Sequence, residues 1–323
     1  MALAVTHHDE TVLARGFGVM RVDRPAPVSD TTLFHMASVT KPFVATAVMQ
    51  LVERGQLSLD DQIAQHLPYF RMDDRRSSAV TVRQLLSHTA GMPDVEDYEW
   101  NTPETDDDAL ERFVRCLRVA KLVDSPGNQF RYSNVGFEIL GDLVAKLSGR
   151  SFEDYITEFI LNPLGMTTST LMAPSGSPEV LATPHTLTET GDVIVSSVFP
   201  YNRAHAPSST LCCNAREIAL WMMANLSGGV LGGARILKPQ TLELMWSPVG
   251  RTQQGPHRFV GLSWFISYYR GLRVISHSGS DLGFNSMCML LPERGIGIGF
   301  MCNADYSPVQ FLMNAALEVA TTI

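Results

Sequence analysis

Ser38 and Lys41 stand three residues apart at the head of a stretch with helical apolar spacing. Positions three apart share a helix face, so the Lys41 amine can lie beside the Ser38 hydroxyl and take its proton. The free N–H groups and dipole at a helix start favour negative charge beside Ser38. That combination suits a nucleophile for acyl transfer. Serine is also an ordinary helix cap, so the pair alone reads equally as a helix start.

Tyr132-Ser133-Asn134 precedes a second helical pattern and offers a phenol that can shuttle a proton beside an amide that can hold a carbonyl. In extended backbone, residues two apart point to one side, which would aim Tyr132 and Asn134 at one pocket. The structural alternative makes Ser133 or Asn134 the helix cap and Tyr132 a core residue. A third group, His277-Ser278-Gly279 with Ser280 after it, reads as strand. A strand glycine admits close approach of another backbone, the Ser280 N–H could face an oxyanion, and His277 would add a titratable positive group. A surface histidine beside a bulge glycine is the bland reading.

The elements that would carry these residues follow from periodicity. Residues 3–22 read as a β-hairpin, 38–53 as a helix stopped at Gly55, and 81–86, 107–117, 135–147, 152–161 and 215–226 as helices. Asn214 with Glu217 resembles a capping box ahead of the last of these. The runs 260–266, 272–276, 285–291 and 296–302, split by turn residues, predict an antiparallel meander, and a helix from Pro308 to 319 closes the chain. The expected architecture is α+β in one domain over 1–323. One antiparallel sheet is built from both chain ends (1–60 and 246–323) and flanked by helices, with a mainly helical lobe (61–245) inserted. A site is expected in the cleft between lobes.

Composition narrows the function. The chain has 323 residues, 45% hydrophobic and 18% charged, with net charge −8, and no basic run, which argues against nucleic-acid and membrane-surface partners. Residues 43–52, the longest near-apolar stretch, are about half the length needed to span a bilayer. With no signal-like start, a cytoplasmic location is the default expectation. Cys116, Cys212, Cys213, Cys288 and Cys302 lack zinc or disulfide spacing and read as reduced thiols. His7, His8, His66, His185, His205 and His257 have no ligand spacing, so neither a metal nor another cofactor is expected. Gly295, Gly297 and Gly299 lie on a strand and not at a helix start, which sets aside a dinucleotide fingerprint, and G-x-S-x-G is missing.

The three groups, taken in order, resemble the serine β-lactamase and penicillin-binding-protein superfamily, in particular its class C-like branch of esterases, D-aminopeptidases and DD-peptidases. Further motifs carry the resemblance: Thr32-Leu33-Phe34 leading into Ser38-Val39-Thr40-Lys41-Pro42, Gly55-Gln56-Leu57-Ser58-Leu59-Asp60-Asp61, Leu85-Leu86-Ser87-His88-Thr89-Ala90-Gly91-Met92-Pro93, Pro126-Gly127, Asn162-Pro163-Leu164-Gly165-Met166 and Leu291-Pro292-Glu293-Arg294. It spans nearly the whole chain and implies a β-lactamase/transpeptidase-like fold. It also implies Ser38 as acylated nucleophile, Lys41 and Tyr132 as the proton-transfer pair, Asn134, His277 and Gly279 as substrate contacts, and the backbone N–H groups of Ser38 and Ser280 as the oxyanion hole. His88 reads as a buried structural histidine.

The implied activity is hydrolysis of a small ester or D-amino-acid-type amide through an acyl-enzyme. A β-lactamase or DD-peptidase, an acyltransferase, or a silent binding protein on the same fold are the alternatives. Two departures bear on the choice. His277 stands where many β-lactamases have the lysine of Lys-Thr-Gly, replacing a permanent cation by a group about half neutral near its ordinary pKa of roughly 6.5. The often glycine-rich region of the family reads Ser208-Ser209-Thr210-Leu211-Cys212-Cys213.

Overall fold

The computed structural model describes residues 1–173, 180–253, 255, 257–307 and 309–322. Its centre is an antiparallel eight-stranded sheet. The strands are β1 (Ala2–His7), β2 (Glu10–Gly16), β3 (Gly250–Arg251), β4 (Phe259–Val260), β5 (Phe265–Tyr269), β6 (Leu272–Asp281), β7 (Phe284–Leu291) and β8 (Ile296–Cys302). They lie in the order β2-β1-β8-β7-β6-β5-β4-β3. Both chain ends therefore meet in the middle, where Ala2 pairs with Met301 and His7 with Ile296. The hairpin and meander expected from alternation are present, and β6 runs five residues past the expected end, carrying the His277–Ser280 group inside the strand.

Four helices matter to the site and the core: α1 (Lys41–Glu53), α2 (Val135–Ser148), α3 (Ala215–Leu226) and α4 (Val309–Thr322). Pro308, expected to open the last helix, lies outside the described residues. β7 is buried along its whole length because both faces of the sheet are covered. One face meets α3; on the other, Val274, Met287, Met289, Ile298 and Phe300 form a separate apolar cluster with Leu317 and Ala320 of α4. No described helix is long and apolar enough to cross a membrane.

Two expectations need correction. The sequence places residues 215–226 in the helical lobe, whereas α3 packs on β1 and β8. Gly297 and Gly299 make this possible: a Cβ on either would sit 2.9 Å from Met222 Cβ or from Ile218 Cγ2. The glycine spacing in β8 thus marks a helix laid directly on a strand. The capping box at α3 is also only half formed. Asn214 Oδ1 accepts from Glu217 N at 3.0 Å, while the Glu217 carboxylate accepts from the backbone and hydroxyls of Thr168 and Ser169.

Candidate active site

The serine sits on a turn that its neighbours hold in place. After a two-residue strand, Phe34–His35, paired with Cys212–Cys213, the chain enters a 3-10 turn at Ala37–Thr40 that runs straight into α1. Ala37 has φ +47°, a left-handed conformation that costs a residue with a Cβ about 1 kcal/mol or more. Three bonds fix it: Met36 N donates to Leu211 O at 2.7 Å, Ser286 Oγ donates to Met36 O, and Thr40 Oγ1 donates to Ala37 O at 2.7 Å. Gly279 of β6 lies against this turn. A Cβ there would fall 2.3 Å from Met36 O and 2.9 Å from Ser38 N, so only glycine lets the strand approach the serine amide. Ser280, whose side chain is exposed, is the next residue along β6.

Around Ser38 the expected residues converge. Lys41 Nζ and Tyr132 Oη each lie 2.9 Å from Ser38 Oγ. Lys41 Nζ also donates to Asn134 Oδ1 at 2.6 Å and to the Ser208 carbonyl at 2.8 Å. The lysine is wholly buried, and burial lowers its pKa from the ordinary 10.5 to about 8, against the opposing pull of Glu138, Asp281 and Asp94. Burial raises the Tyr132 pKa well above the usual phenol value, so it keeps its proton at neutral pH. Its ring stacks on His88 at 4.3 Å, and His88 Nδ1 accepts from Ser133 N at 3.1 Å. His88 is therefore the buried, hydrogen-bonding histidine expected from its motif.

The capping alternative for Asn134 is resolved by its neighbour. Ser133 Oγ accepts from Gly136 N at 3.2 Å, and the Asn134 side chain makes no cap bond. Asn134 turns instead toward Lys41. Its backbone N and Nδ2 both donate to Asp94 Oδ1, at 2.8 and 2.9 Å, which fixes the amide with its oxygen on the lysine.

His277 departs from the sequence reading. It is 1% exposed, and burial together with the Lys41 charge lowers its pKa to about 3, so it is neutral at physiological pH and not a titrating cation. The ring packs near Phe265 and Tyr132, with centroids 5.3 and 6.5 Å away. Its Nδ1 lies 2.8 Å from the Ser278 carbonyl oxygen, which can only accept, so Nδ1 carries the hydrogen and Nε2 a lone pair. That Nε2 is buried and has no partner among the described residues.

Several contributors lay outside the sequence reading. Asp94 follows directly on a quoted motif, Ser208 acts through its carbonyl, and Asp281 lies two residues beyond Gly279 on the same strand face. Asp281 Oδ2 accepts from His35 Nε2 at 2.7 Å and from Ser209 Oγ, tying β6 to the strand that leads into the nucleophile turn. The cysteines take no part: Cys212, Cys213 and Cys288 are buried, and burial alone raises the Cys212 and Cys288 pKa values to about 12.

Comparison with known proteins bears on the family and the fold. The family profile described as Beta-lactamase matches residues 1–322. Protein flp of Staphylococcus aureus is 26% identical over 311 residues, 95% of this chain and 60% of that protein, so the chain spans about three fifths of that relative. Penicillin-binding protein 4 of Amycolatopsis lactamdurans is 29% identical over 306 residues, 90% of this chain and 76% of that one. The solved structure of an octameric penicillin-binding protein homologue from Pyrococcus abyssi superposes with a TM-score of 0.88 at 25% identity, covering 99% of this chain and 73% of that one. With a match over nearly every residue and the same sheet-and-helix architecture, the chain belongs to the beta-lactamase family.

Proposed function

We propose that the protein is a serine hydrolase that forms an acyl-enzyme through Ser38 on small esters or D-amino-acid-type amides. The observation that carries this reading is the double approach to Ser38 Oγ by Lys41 Nζ and Tyr132 Oη. Two of the three Lys41 partners, Asn134 Oδ1 and Ser208 O, are oxygens that can only accept. A neutral Lys41 spends its two hydrogens on them and directs its lone pair at Ser38 Oγ, which is the geometry of a general base. With a pKa of about 8, roughly a tenth of the enzyme has that neutral amine at pH 7.

The steps then balance. Ser38 Oγ bonds to the substrate carbonyl carbon as its proton passes to Lys41, and the N–H groups of Ser38 and Ser280 receive the negative oxygen. The bond to the leaving group breaks as Tyr132 delivers a proton to it, and the Lys41 ammonium passes to Tyr132 the proton it took. Water repeats the sequence to free the acid.

The name of the Amycolatopsis relative favours a second reading, a penicillin-binding enzyme of the β-lactamase or DD-peptidase kind. Neutral His277 weighs against it, because no fixed cation replaces the lysine of Lys-Thr-Gly. A silent binding protein would have no need of the Ser38–Lys41–Tyr132–Asn134 network around a buried lysine. The test is intact-mass spectrometry after a fluorophosphonate probe and, separately, a penicillin, alongside turnover of p-nitrophenyl acetate and butyrate. Wild type should gain one probe mass at Ser38 and hydrolyse the esters, while Ser38→Ala should do neither. Ester turnover that survives Ser38→Ala would refute the acyl-enzyme.

A further inference from the structure

We propose that Glu138, paired with His205, is a positioning residue for Lys41: it anchors the turn whose Ser208 carbonyl the lysine bonds, and its charge sets the pH at which the amine becomes a base. This rests on the acyl-enzyme reading above and adds to it a control on the base.

Geometry carries the first half. One face of α2 runs through Asn134, Glu138 and Gly141, spaced four and three residues apart. Asn134 Oδ1 meets Lys41 Nζ at 2.6 Å. One helical turn on, Glu138 Oε1 lies 3.2 Å from His205 Nδ1, with both side chains buried. At Gly141 a Cβ would fall 2.1 Å from Pro207 Cγ, so the proline seats on α2 only because no side chain stands there. The same helix face thus holds the base through Asn134 and the turn 203–209 through Glu138 and Gly141. Within that turn Ser208 Oγ donates to the His205 carbonyl at 3.3 Å, and the Ser208 carbonyl accepts from Lys41 at 2.8 Å. The rings of Tyr98 and Phe113 stand edge-on to His205, with centroids at 4.9 and 4.8 Å, and cover the pair.

Charge carries the second half. A buried carboxylate is costly unless its oxygens are satisfied, and Glu138 Oε2 is buried with no partner among the described residues. An apolar side chain would avoid that cost, so packing does not account for an acid here. Its charge has a use at Lys41. Burial disfavours the Lys41 ammonium, and the first charge to oppose that is Glu138, ahead of Asp281 of β6 and of Asp94. Asp94 is exposed and screened by water, whereas Glu138 is wholly buried, where a charge is felt more strongly. The other titratable groups facing the lysine add no charge to the balance. Tyr132 keeps its proton, and burial with the Lys41 charge holds His88 and His277 neutral. Beside His205, burial and the charges of Asp281 and Glu138 keep the Tyr98 phenol protonated. Arg203, two residues before His205, is paired with Glu153 and Asp107.

The experiment follows kcat/KM for p-nitrophenyl butyrate, and the rate of fluorophosphonate labelling of Ser38, against pH in wild type, Glu138→Gln and Glu138→Met. Gln keeps an oxygen for His205, while Met removes the polar group at similar size. Loss of the negative charge lowers the lysine pKa, so the basic limb should move to lower pH by about one unit in both variants. At pH 6.5 each should then reach a share of its own plateau roughly five- to tenfold that of wild type. The plateau should stay within about threefold of wild type in Glu138→Gln and fall about tenfold in Glu138→Met, where the turn loses its anchor. His205→Leu should show a plateau loss like that of Glu138→Met, and His205→Asn, whose amide N–H can reach the carboxylate, should recover most of it. A merely structural residue would lower stability and plateau and leave the limb in place. Either Glu138 variant alone suffices for the test. A limb within about 0.2 pH unit of wild type, on an enzyme that labels at Ser38, overturns the inference and leaves the hydrolase reading standing. Failure of both variants to fold does the same, since it makes Glu138 a residue of the fold alone. A wild-type chain that neither labels nor hydrolyses butyrate overturns the hydrolase reading, and this inference with it.

Discussion

The two walls of the site, helical and strand, are built on opposite principles. On the helical wall the groups around the nucleophile hold one another: Ser38 takes Lys41 and Tyr132, Lys41 takes two carbonyl-type oxygens, and Asn134 is locked by Asp94. On the strand wall β6 presents a glycine and a histidine whose Nε2 has no partner among the described residues. The saturated wall holds its reacting atoms by several bonds each, whereas the strand wall leaves an acceptor unused. The comparison predicts that changes on the helical wall strike the chemical step and changes on the strand wall strike fit and selectivity. Gly279 is the exception, since it touches both.

Lys41→Met should produce the largest effect, because it removes the proposed base while keeping much of the stem's volume. We expect kcat/KM on p-nitrophenyl butyrate to fall by about 10³–10⁴ and fluorophosphonate labelling of Ser38 to slow in parallel. An equal loss in ground-state binding alone would break the assignment of this wall to chemistry. Gly279→Ala comes next. Its methyl group would overlap Met36 O at 2.3 Å, forcing β6 off the nucleophile turn and the Ser38 amide out of line. A loss of about 10²-fold in kcat, typical of one displaced oxyanion donor, should accompany roughly 1–3 kcal/mol of destabilisation in a denaturant titration. If kcat stays within about twofold, the strand does not help form the anion site.

The pH profile is a smaller effect with a definite sign. Activity requires neutral Lys41, so kcat/KM should rise with pH on a limb near 8, by about tenfold between pH 7 and 9. His277, with a pKa near 3, should contribute no limb in the range where the fold is stable. Stability carries the matching signature. The lysine pKa is lower folded than unfolded, so between about 8 and 10.5 the unfolded chain binds more protons and Lys41 adds stability as pH rises. A limb near 6.5 in place of 8 would make a histidine the base.

What could be read from the sequence follows the range of the interactions. Ser38 and Lys41 were legible because helix geometry sets a three-residue spacing locally. The sheet from both termini was legible because strand alternation and turn residues are local signals as well. The charge state of His277 was not, since it depends on Phe265 and Tyr132 arriving from elsewhere and on the Lys41 charge nearby. The position of α3 was missed for a related reason. The Gly297 and Gly299 spacing was visible, but only packing against Ile218 and Met222 gives it meaning. Asp94 reaches Asn134 across 40 positions of sequence, a pairing no short motif contains.

Asp94 gives the finest test of the saturated wall, because it plays two roles that substitutions can separate. It orients the Asn134 amide through two hydrogen bonds to one oxygen, and its charge favours the protonated form of Lys41. Asp94→Asn can still offer an oxygen to Asn134, so orientation survives and only the charge is lost. The basic limb should then move to lower pH by a small amount, since Asp94 is exposed and its field is screened. Asp94→Ala loses both roles, and with the amide free to turn, kcat should fall about three- to tenfold while KM changes little. A purely structural residue would lower thermal stability in both variants without moving the limb or splitting kcat from KM. Matching kcat losses in the two variants would show that the wall depends on the charge and not on the held amide.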